Sequence, residues 1–381
     1  MALTRHGIPI HAYVDQVPAV VHAVNDIDCI TPAVYFSEVA SGDTIVILAS
    51  VWMLDEMIEQ CEANGLIEYE NYLTYRNVKP FDFDIDVSGV CNLSCLTCPQ
   101  GNYPSKIKKP MMNLATFKKV LHKIIAESPL ITDVQLYSWG DPLLNNQLPE
   151  MIEFANSNGI ASSISSNLSM HCDLDRIVRA KPAWFRISMS GYGDNYPLIH
   201  RNGNWKLVLE NLHQLSRFKS SLFPEMNVEV NFHLYRHNKS DVSKIKQLCQ
   251  ELNFNLSLSV GMIYPLEFVI DYLESRKAND KFKEGLIYLD WNFDQAEPST
   301  IKRCGCENEL YIDSELKTFG CVETYNDPST VIADNFLSTP LDDIIQAKSN
   351  MALCHKCKRT KAFRYQYSRI IDPGSIISGC S

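Results

Sequence analysis

No stretch of this 381-residue sequence is apolar for long enough to cross a bilayer. The longest run, Thr44 to Leu54, is closed by Asp55-Glu56. The opening segment, MALTRHGIPIHAYVD, has no long apolar block of the signal-peptide kind. Basic excess is missing too: the formal net charge is −10, which argues against a nucleic-acid partner. The N-terminal segment contains no GxGxxG, so it gives no claim to a dinucleotide. These absences point to a cytoplasmic protein with no membrane partner and no nucleic-acid partner. Hydrophobic content of 45% and charged content of 21% are those of an ordinary globular chain, long enough for two or three domains.

Cysteine, by contrast, is abundant, with 13 residues in a chain that gives no sign of an oxidising compartment. Cys29, Cys61, Cys172 and Cys249 stand singly in apolar or helical surroundings and read as small buried hydrophobes. Three others form Cys91-Asn-Leu-Ser-Cys95-Leu-Thr-Cys98, followed by Pro99, and no His or fourth Cys stands beside them. Zinc wants four N or S ligands, and a cubane iron–sulfur cluster wants one thiolate per iron. Three local thiolates therefore leave one iron open for another ligand. Six more, Cys304, Cys306, Cys321, Cys354, Cys357 and Cys380, crowd the C-terminal region, and clustering of that kind reads as metal binding.

Hydrophobic periodicity divides the chain into three. In residues 1–80, Ile45–Ala49 reads as a strand and Met53–Asn64 as a helix with Gly65 as its C-cap; an earlier strand at Ala19–Ala23 would complete a small α/β unit, Rossmann-like or a docking domain, and Lys79-Pro80 marks its end. In residues 81–300, strands are expected at Phe81–Val87, Asp133–Tyr137, Ala161–Ser165, Trp184–Ser190, Val228–Leu234 and Leu256–Val260. Helices are expected between them at Leu114–Ala126, Leu148–Asn156, Leu174–Val178, Trp205–Arg217 and Asp241–Leu252. Six strands alternating with helices imply a parallel sheet, a partial (β/α)6 TIM-like barrel with its site at the C-terminal strand ends. Residues 301–381 form a small cysteine-rich domain.

The Cys91–Cys98 loop, placed after the first of these strands, resembles the CxxxCxxC loop of the radical S-adenosylmethionine (radical SAM) superfamily. The resemblance implies a 4Fe–4S cluster on Cys91, Cys95 and Cys98 whose open iron chelates S-adenosyl-L-methionine. It extends to Ser138-Trp139-Gly140-Asp141, in the place of the family's GGE motif, with Gly140 and Asp141 toward the SAM amino group and Asp where Glu is usual. The end of the third strand, with Ser166 and Asn167, is similar to the polar strand end that meets the SAM ribose in related enzymes. Ser188 lies in a strand similar to the family's SxDG, and Arg201 stands where relatives place an arginine for the SAM carboxylate.

The C-terminal cysteines resemble a SPASM/twitch extension, in which Cys321, Cys354 and Cys357, with Cys304 or Cys306, would ligate one auxiliary 4Fe–4S cluster. Zinc on four of these thiolates is the competing reading, and Cys380 is a free thiol or an alternative ligand. The usual hairpin glycine is replaced by Ser314-Glu315-Leu316-Lys317. The family mechanism implies an oxidoreductase-type radical enzyme fed by an electron donor such as flavodoxin or ferredoxin. It would cleave SAM to a 5′-deoxyadenosyl radical and take hydrogen from a small polar substrate, a sugar or nucleotide-sugar, in an oxidation or epimerisation. A peptide-modifying maturase and a non-catalytic iron–sulfur or zinc scaffold are the alternatives.

Overall fold

The computed structural model describes residues 9–14, 27–39, 44–48, 54–74, 77, 81–102, 109–261, 265–277, 280, 283, 287, 304–325 and 327–366. The expected strand at 19–23, the boundary at 79–80 and Cys380 lie outside the described residues. Among the described residues no helix is long and apolar enough to cross a membrane.

Two compact units emerge, Met1–Phe81 with Ser128–Thr132, and Asp82–Glu127 with Asp133–Ser381. In the first, β1 (Tyr13–Val14) pairs in parallel with β2 (Cys29–Ile30), and β3 (Val46–Leu48) with β4 (Tyr72–Thr74). These are two separate ribbons rather than one open sheet. Helix α1 (Leu54–Ala63) carries Leu54 and Cys61 into a small core with Tyr35, Leu48, Leu66 and Tyr72. It ends as the glycine signal predicts, with Gly65 at φ +77.

The second unit is built on one open sheet in the order β10-β9-β8-β7-β6-β5-β11-β12-β13. Its six expected strands are β5 (Asp82–Ile85), β6 (Asp133–Gln135), β7 (Ala161–Ser166), β8 (Trp184–Met189), β9 (Asn227–Leu234) and β10 (Asn255–Val260). All pair in parallel with their neighbours in chain order. Parallel neighbours require crossovers, and amphipathic helices supply them: α2 (Leu114–Glu127), α3 (Leu148–Ser157), α4 (Leu174–Arg179), α5 (Trp205–Leu222) and α6 (Val242–Leu252). Local chemistry sets their ends. Asp173 caps α4 by accepting from Arg176 N at 3.1 Å, and Asn204 caps α5 by accepting from Leu207 N at 3.3 Å. Asn253, at φ 55, closes α6 in the left-handed conformation.

Along β7, β8 and β9 buried residues alternate with half-buried ones, apart from exposed Asn227 at the start of β9. One face bears Ile164, Phe185, Ile187, Val230 and Phe232, all fully or almost fully buried. The other bears Ser165, Arg186, Ser188, Glu229, Asn231 and His233, so the inner face of the sheet is polar. Burial of one apolar face fixes the register of each strand, because a slip of one residue would turn that face outward.

The C-terminal segment joins the same sheet. Strand β11 (Glu309–Ile312) pairs in parallel with β5, Tyr311 opposite Asp84, which makes a seventh parallel strand. Strand β12 (Thr318–Phe319) turns back antiparallel to β11, and β13 (Val331–Ala333) follows it. In the turn between β11 and β12, where the resemblance leads one to expect a glycine, Leu316 takes φ 72. The turn is held by buried Asp313, which accepts from Glu315 N and Lys317 N, each at 2.9 Å, and from Lys109 Nζ at 2.8 Å. Helices α7 (Leu266–Ser275), α8 (Leu341–Ser349) and α9 (Ala352–Thr360) complete the unit.

Candidate active site

The loop after β5 is fastened from several sides. Leu96 N donates to Ile199 O at 2.9 Å and Ser94 N to Arg201 O at 3.0 Å, while Thr97 Oγ1 meets Tyr235 Oη at 2.8 Å. Gly101 packs beneath it, and a Cβ there would stand 2.5 Å from the backbone of Ser94 and Cys95. Leu93 and Leu96 are buried and anchor the loop between the thiols. Cys91, Cys95 and Cys98 lie near enough for Cys95 to be raised by both of the others, burial being the larger cause. Burial, followed by Asp141, pushes the Cys91 thiol up to about 12, and burial raises Cys98. Thiols so placed ionise when a cation takes over the charge.

The loop after β6 meets this one closely. Asp141 N donates to Val90 O at 2.8 Å. Gly140 N donates to Asp86 Oδ2 at 3.2 Å, and a Cβ on Gly140 would lie 2.8 Å from both Asp86 Oδ1 and Gly89 N. Only glycine fits there, which accounts for Gly140. Asp141 is buried and is itself a hub. Its Oδ2 accepts from Ser166 Oγ at 2.9 Å, Asn167 N at 3.0 Å and Asn167 Nδ2 at 2.6 Å, and its Oδ1 accepts from Leu143 N at 3.1 Å. A carboxylate offers about four acceptor positions, two per oxygen, so the accessible capacity is on Oδ1. Burial raises the Asp141 carboxyl to about 6 against these hydrogen bonds. Asn167 Nδ2 also reaches Asn92 Oδ1 at 3.0 Å and Cys91 Sγ at 3.8 Å.

The structure thus joins Cys91, Gly140, Asp141, Ser166 and Asn167 through a single polar network. Ser188 lies on the inner face of β8, its Oγ 3.5 Å from Ser165 Oγ. Arg201 gives its backbone carbonyl to the cysteine loop while its side chain is exposed. Three contributors were not singled out by sequence reasoning. Asp86 binds the N–H groups of Ser88 and Gly89 as well as Gly140, drawing two strand ends together. His200 sets Nδ1 3.4 Å from Cys95 Sγ and stacks on Tyr196, whose hydroxyl donates to Asn167 O at 3.2 Å. Burial holds the His200 imidazole down at about 4, so it is neutral. Asn92 anchors the loop by donating to Ser169 O at 2.9 Å. Of these, only Asp86 had a local signal, an acid at a strand end just before the motif.

Cys304, Cys306, Cys321, Cys354 and Cys357 line one pocket with Met351. Cys354 and Cys357 sit three residues apart on α9, on one face. The thiol of Cys306 is within hydrogen-bonding reach of Cys304 and of Cys321, and the contact between Cys304 and Cys306 leads burial in raising Cys304. Burial pushes Cys357 up to about 12. Leu96 of the first loop belongs to the same apolar cluster as Cys306, Cys321 and Cys357. None of the described cysteines is in a disulfide. Among the described residues no three Cys, His, Asp or Glu side chains are disposed around a single metal ion. A cubane gives each thiolate its own iron, so the donor set and its burial suit a cluster at either place.

No family model matches the sequence. Among solved structures, the chain is similar to Streptococcus suis SuiB bound to S-adenosylmethionine, at 12% identity and a TM-score of 0.49, over 82% of this chain and 76% of that one. It is similar to BtrN in complex with AdoMet and 2-DOIA, at 14% identity and 0.44, over 75% and 92%. It is also similar to anSMEcpe with bound AdoMet and Cp18Cys peptide, at 13% identity and 0.49, over 75% and 87%.

Proposed function

We propose that this protein is a radical SAM enzyme with its SAM-cleaving cluster on Cys91, Cys95 and Cys98. The observation that supports it most is the network joining the cysteine loop, the Gly140-Asp141 turn and Ser166–Asn167 at the C-terminal ends of β5, β6 and β7. Held by Cys91, Cys95 and Cys98, a 4Fe–4S cluster would supply the one-electron reduction by which SAM splits into methionine and a 5′-deoxyadenosyl radical able to abstract hydrogen.

The chain's own residues do the rest. Asp141 offers Oδ1 to an ammonium, and a charge-assisted hydrogen bond from a buried carboxylate is stronger than a neutral one. Gly140 packs its backbone against Asp86 and Gly89, which sets the Asp141 turn beside the cysteine loop. Ser166 and Asn167 hold the carboxylate in place and present polar atoms beside it, with Ser188 one strand further along. Leu93, Leu96 and Tyr235, all buried, close the cluster loop against water, which a reactive radical requires. The five C-terminal cysteines are read as the site of one auxiliary 4Fe–4S cluster, taking four of them.

Anaerobic reconstitution with iron and sulfide, followed by SAM and dithionite, tests the reading. About eight irons per chain and formation of 5′-deoxyadenosine are expected. About four irons removes the auxiliary cluster. Absence of 5′-deoxyadenosine from a fully loaded protein removes the enzyme assignment.

A further inference from the structure

The inner face of the sheet carries a guanidinium for which the described residues supply no carboxylate partner. Arg186 lies midway along β8, with Ser165 of β7 and Glu229 of β9 as its register neighbours. Its Nε is shut off from solvent and meets no acceptor. Among the described residues no carboxylate comes within ion-pair distance of it. Glu229, its neighbour in register, instead accepts from Ser257 Oγ at 2.5 Å, and Ser257 in turn accepts from Asn231 Nδ2 at 3.0 Å. The Tyr137 phenol lies against the guanidinium, and His233 feels its charge. Further along the same face, Asn231 Oδ1 and Ser259 Oγ are also buried without partners. Arg186 as a whole is half-buried and its guanidinium meets Tyr137, but a buried N–H without an acceptor, such as its Nε, is an exception among native polar groups, which are otherwise paired. A convergent set on one face beneath the proposed cluster loop calls for a ligand with the complementary groups.

We propose that Arg186 binds a carboxylate of the substrate, with Asn231 and Ser259 taking its hydroxyl or amide groups. The substrate class is then a polar, carboxylate-bearing molecule, either a sugar acid or an acidic residue of a peptide. A guanidinium fork matches a carboxylate in two parallel hydrogen bonds, which lysine does not reproduce. The proposal rests on the radical SAM reading for what is done to this molecule, but not for its binding.

The test uses the anaerobically reconstituted full chain and calorimetric titration in two pairs of probes: D-glucuronate against D-glucose, and N-acetylglutamate amide against N-acetylglutamine amide. At least one carboxylate is expected to bind about tenfold or more tightly than its neutral counterpart. The pair that shows the preference tells a sugar acid from a peptide. Arg186→Gln is expected to abolish the preference, and Arg186→Lys, which keeps the charge and so guards against loss of the fold, to retain part of it. SAM affinity is expected to stay within about twofold in both variants. The assignment is overturned if the wild type shows no preference in either pair, if the preference survives Arg186→Gln, or if SAM affinity is lost along with it, which would make Arg186 a SAM contact. A preference that depends on Arg186 in a protein that forms no 5′-deoxyadenosine would support the carboxylate site and remove the radical SAM reading.

Discussion

Asp141→Asn separates the structural role of this carboxylate from its proposed role toward SAM. The three donors from Ser166 and Asn167 converge on Oδ2, and an asparagine keeps an oxygen there. Its amide nitrogen then replaces Oδ1 and faces Leu143 N, so one hydrogen bond is lost and a buried donor is left unpaired. That costs about 1–3 kcal/mol. Against this, the wild-type carboxyl is held at about 6 instead of its ordinary 3.8, burial being the main cause. At about 1.4 kcal/mol per pKa unit, keeping it ionised at neutral pH costs about 3 kcal/mol, which the substitution removes. The two effects nearly cancel, so the variant is expected to melt within a few degrees of the wild type.

SAM binding should behave otherwise. The atom offered to the ammonium group changes from acceptor to donor, and affinity is expected to fall about a hundredfold. Because the native carboxyl binds its proton more tightly than an unfolded one, its ionisation weakens the fold as pH rises from about 4 through 6, while it strengthens SAM binding over the upper part of that window. Wild-type affinity should therefore drop about tenfold between pH 7 and pH 5, and the variant should show no such slope. Anaerobic equilibrium binding of SAM across this range, with thermal melts of both proteins, makes the measurement. An Asp141→Asn protein that binds SAM as tightly as the wild type refutes the reasoning, as does a wild-type affinity independent of pH.

Gly140→Ala would place a methyl group 2.8 Å from Gly89 N and Asp86 Oδ1; a cost of about 1–3 kcal/mol should appear as a lower melting temperature together with loss of SAM cleavage. His233 is held down at about 3 by burial, then by Arg186 and His200. Stability should therefore be full above the unfolded value near 6.5 and decline as pH falls toward the folded one, by about 1–2 kcal/mol at pH 5, and a His233→Gln variant should lose that part of the decline in denaturant titrations at pH 7 and pH 5. Replacing Cys354 and Cys357 by Ala should remove about four irons per chain while leaving 5′-deoxyadenosine formation without substrate largely intact. Equal loss of both would show that the C-terminal pocket supports the first site structurally. The triple Cys91, Cys95 and Cys98 replacement by Ala should abolish that formation and keep the remaining iron.

The six strands and five crossover helices of the second unit were legible because their signals are local. Trp184 to Met189 alternates between a packed and a polar side, and each helix buries one stripe, so periodicity alone reports which residues face inward. The Cys91–Cys98 spacing is equally local, since one loop carries all three thiols. What periodicity does not report is which separate strand ends meet. Resemblance placed Asp141 toward the SAM amino group, but it did not show that folding makes this residue the acceptor for donors from Ser166 and Asn167, residues that a different strand delivers. Asp86 is tied across 54 positions to Gly140, and Cys95 across 105 to His200. Nor did the sequence reveal that β11 would pair with β5, or that Arg186 would face inward with its Nε lacking an acceptor among the described residues. Strand pairing and charge pairing are sums over distant contacts, and they acquire values only once the chain has closed on itself. The sequence by itself determined the repeating elements and the thiol-bearing loop; the tertiary structure decided which polar groups share a site and which polar atoms stay without a partner among the described residues.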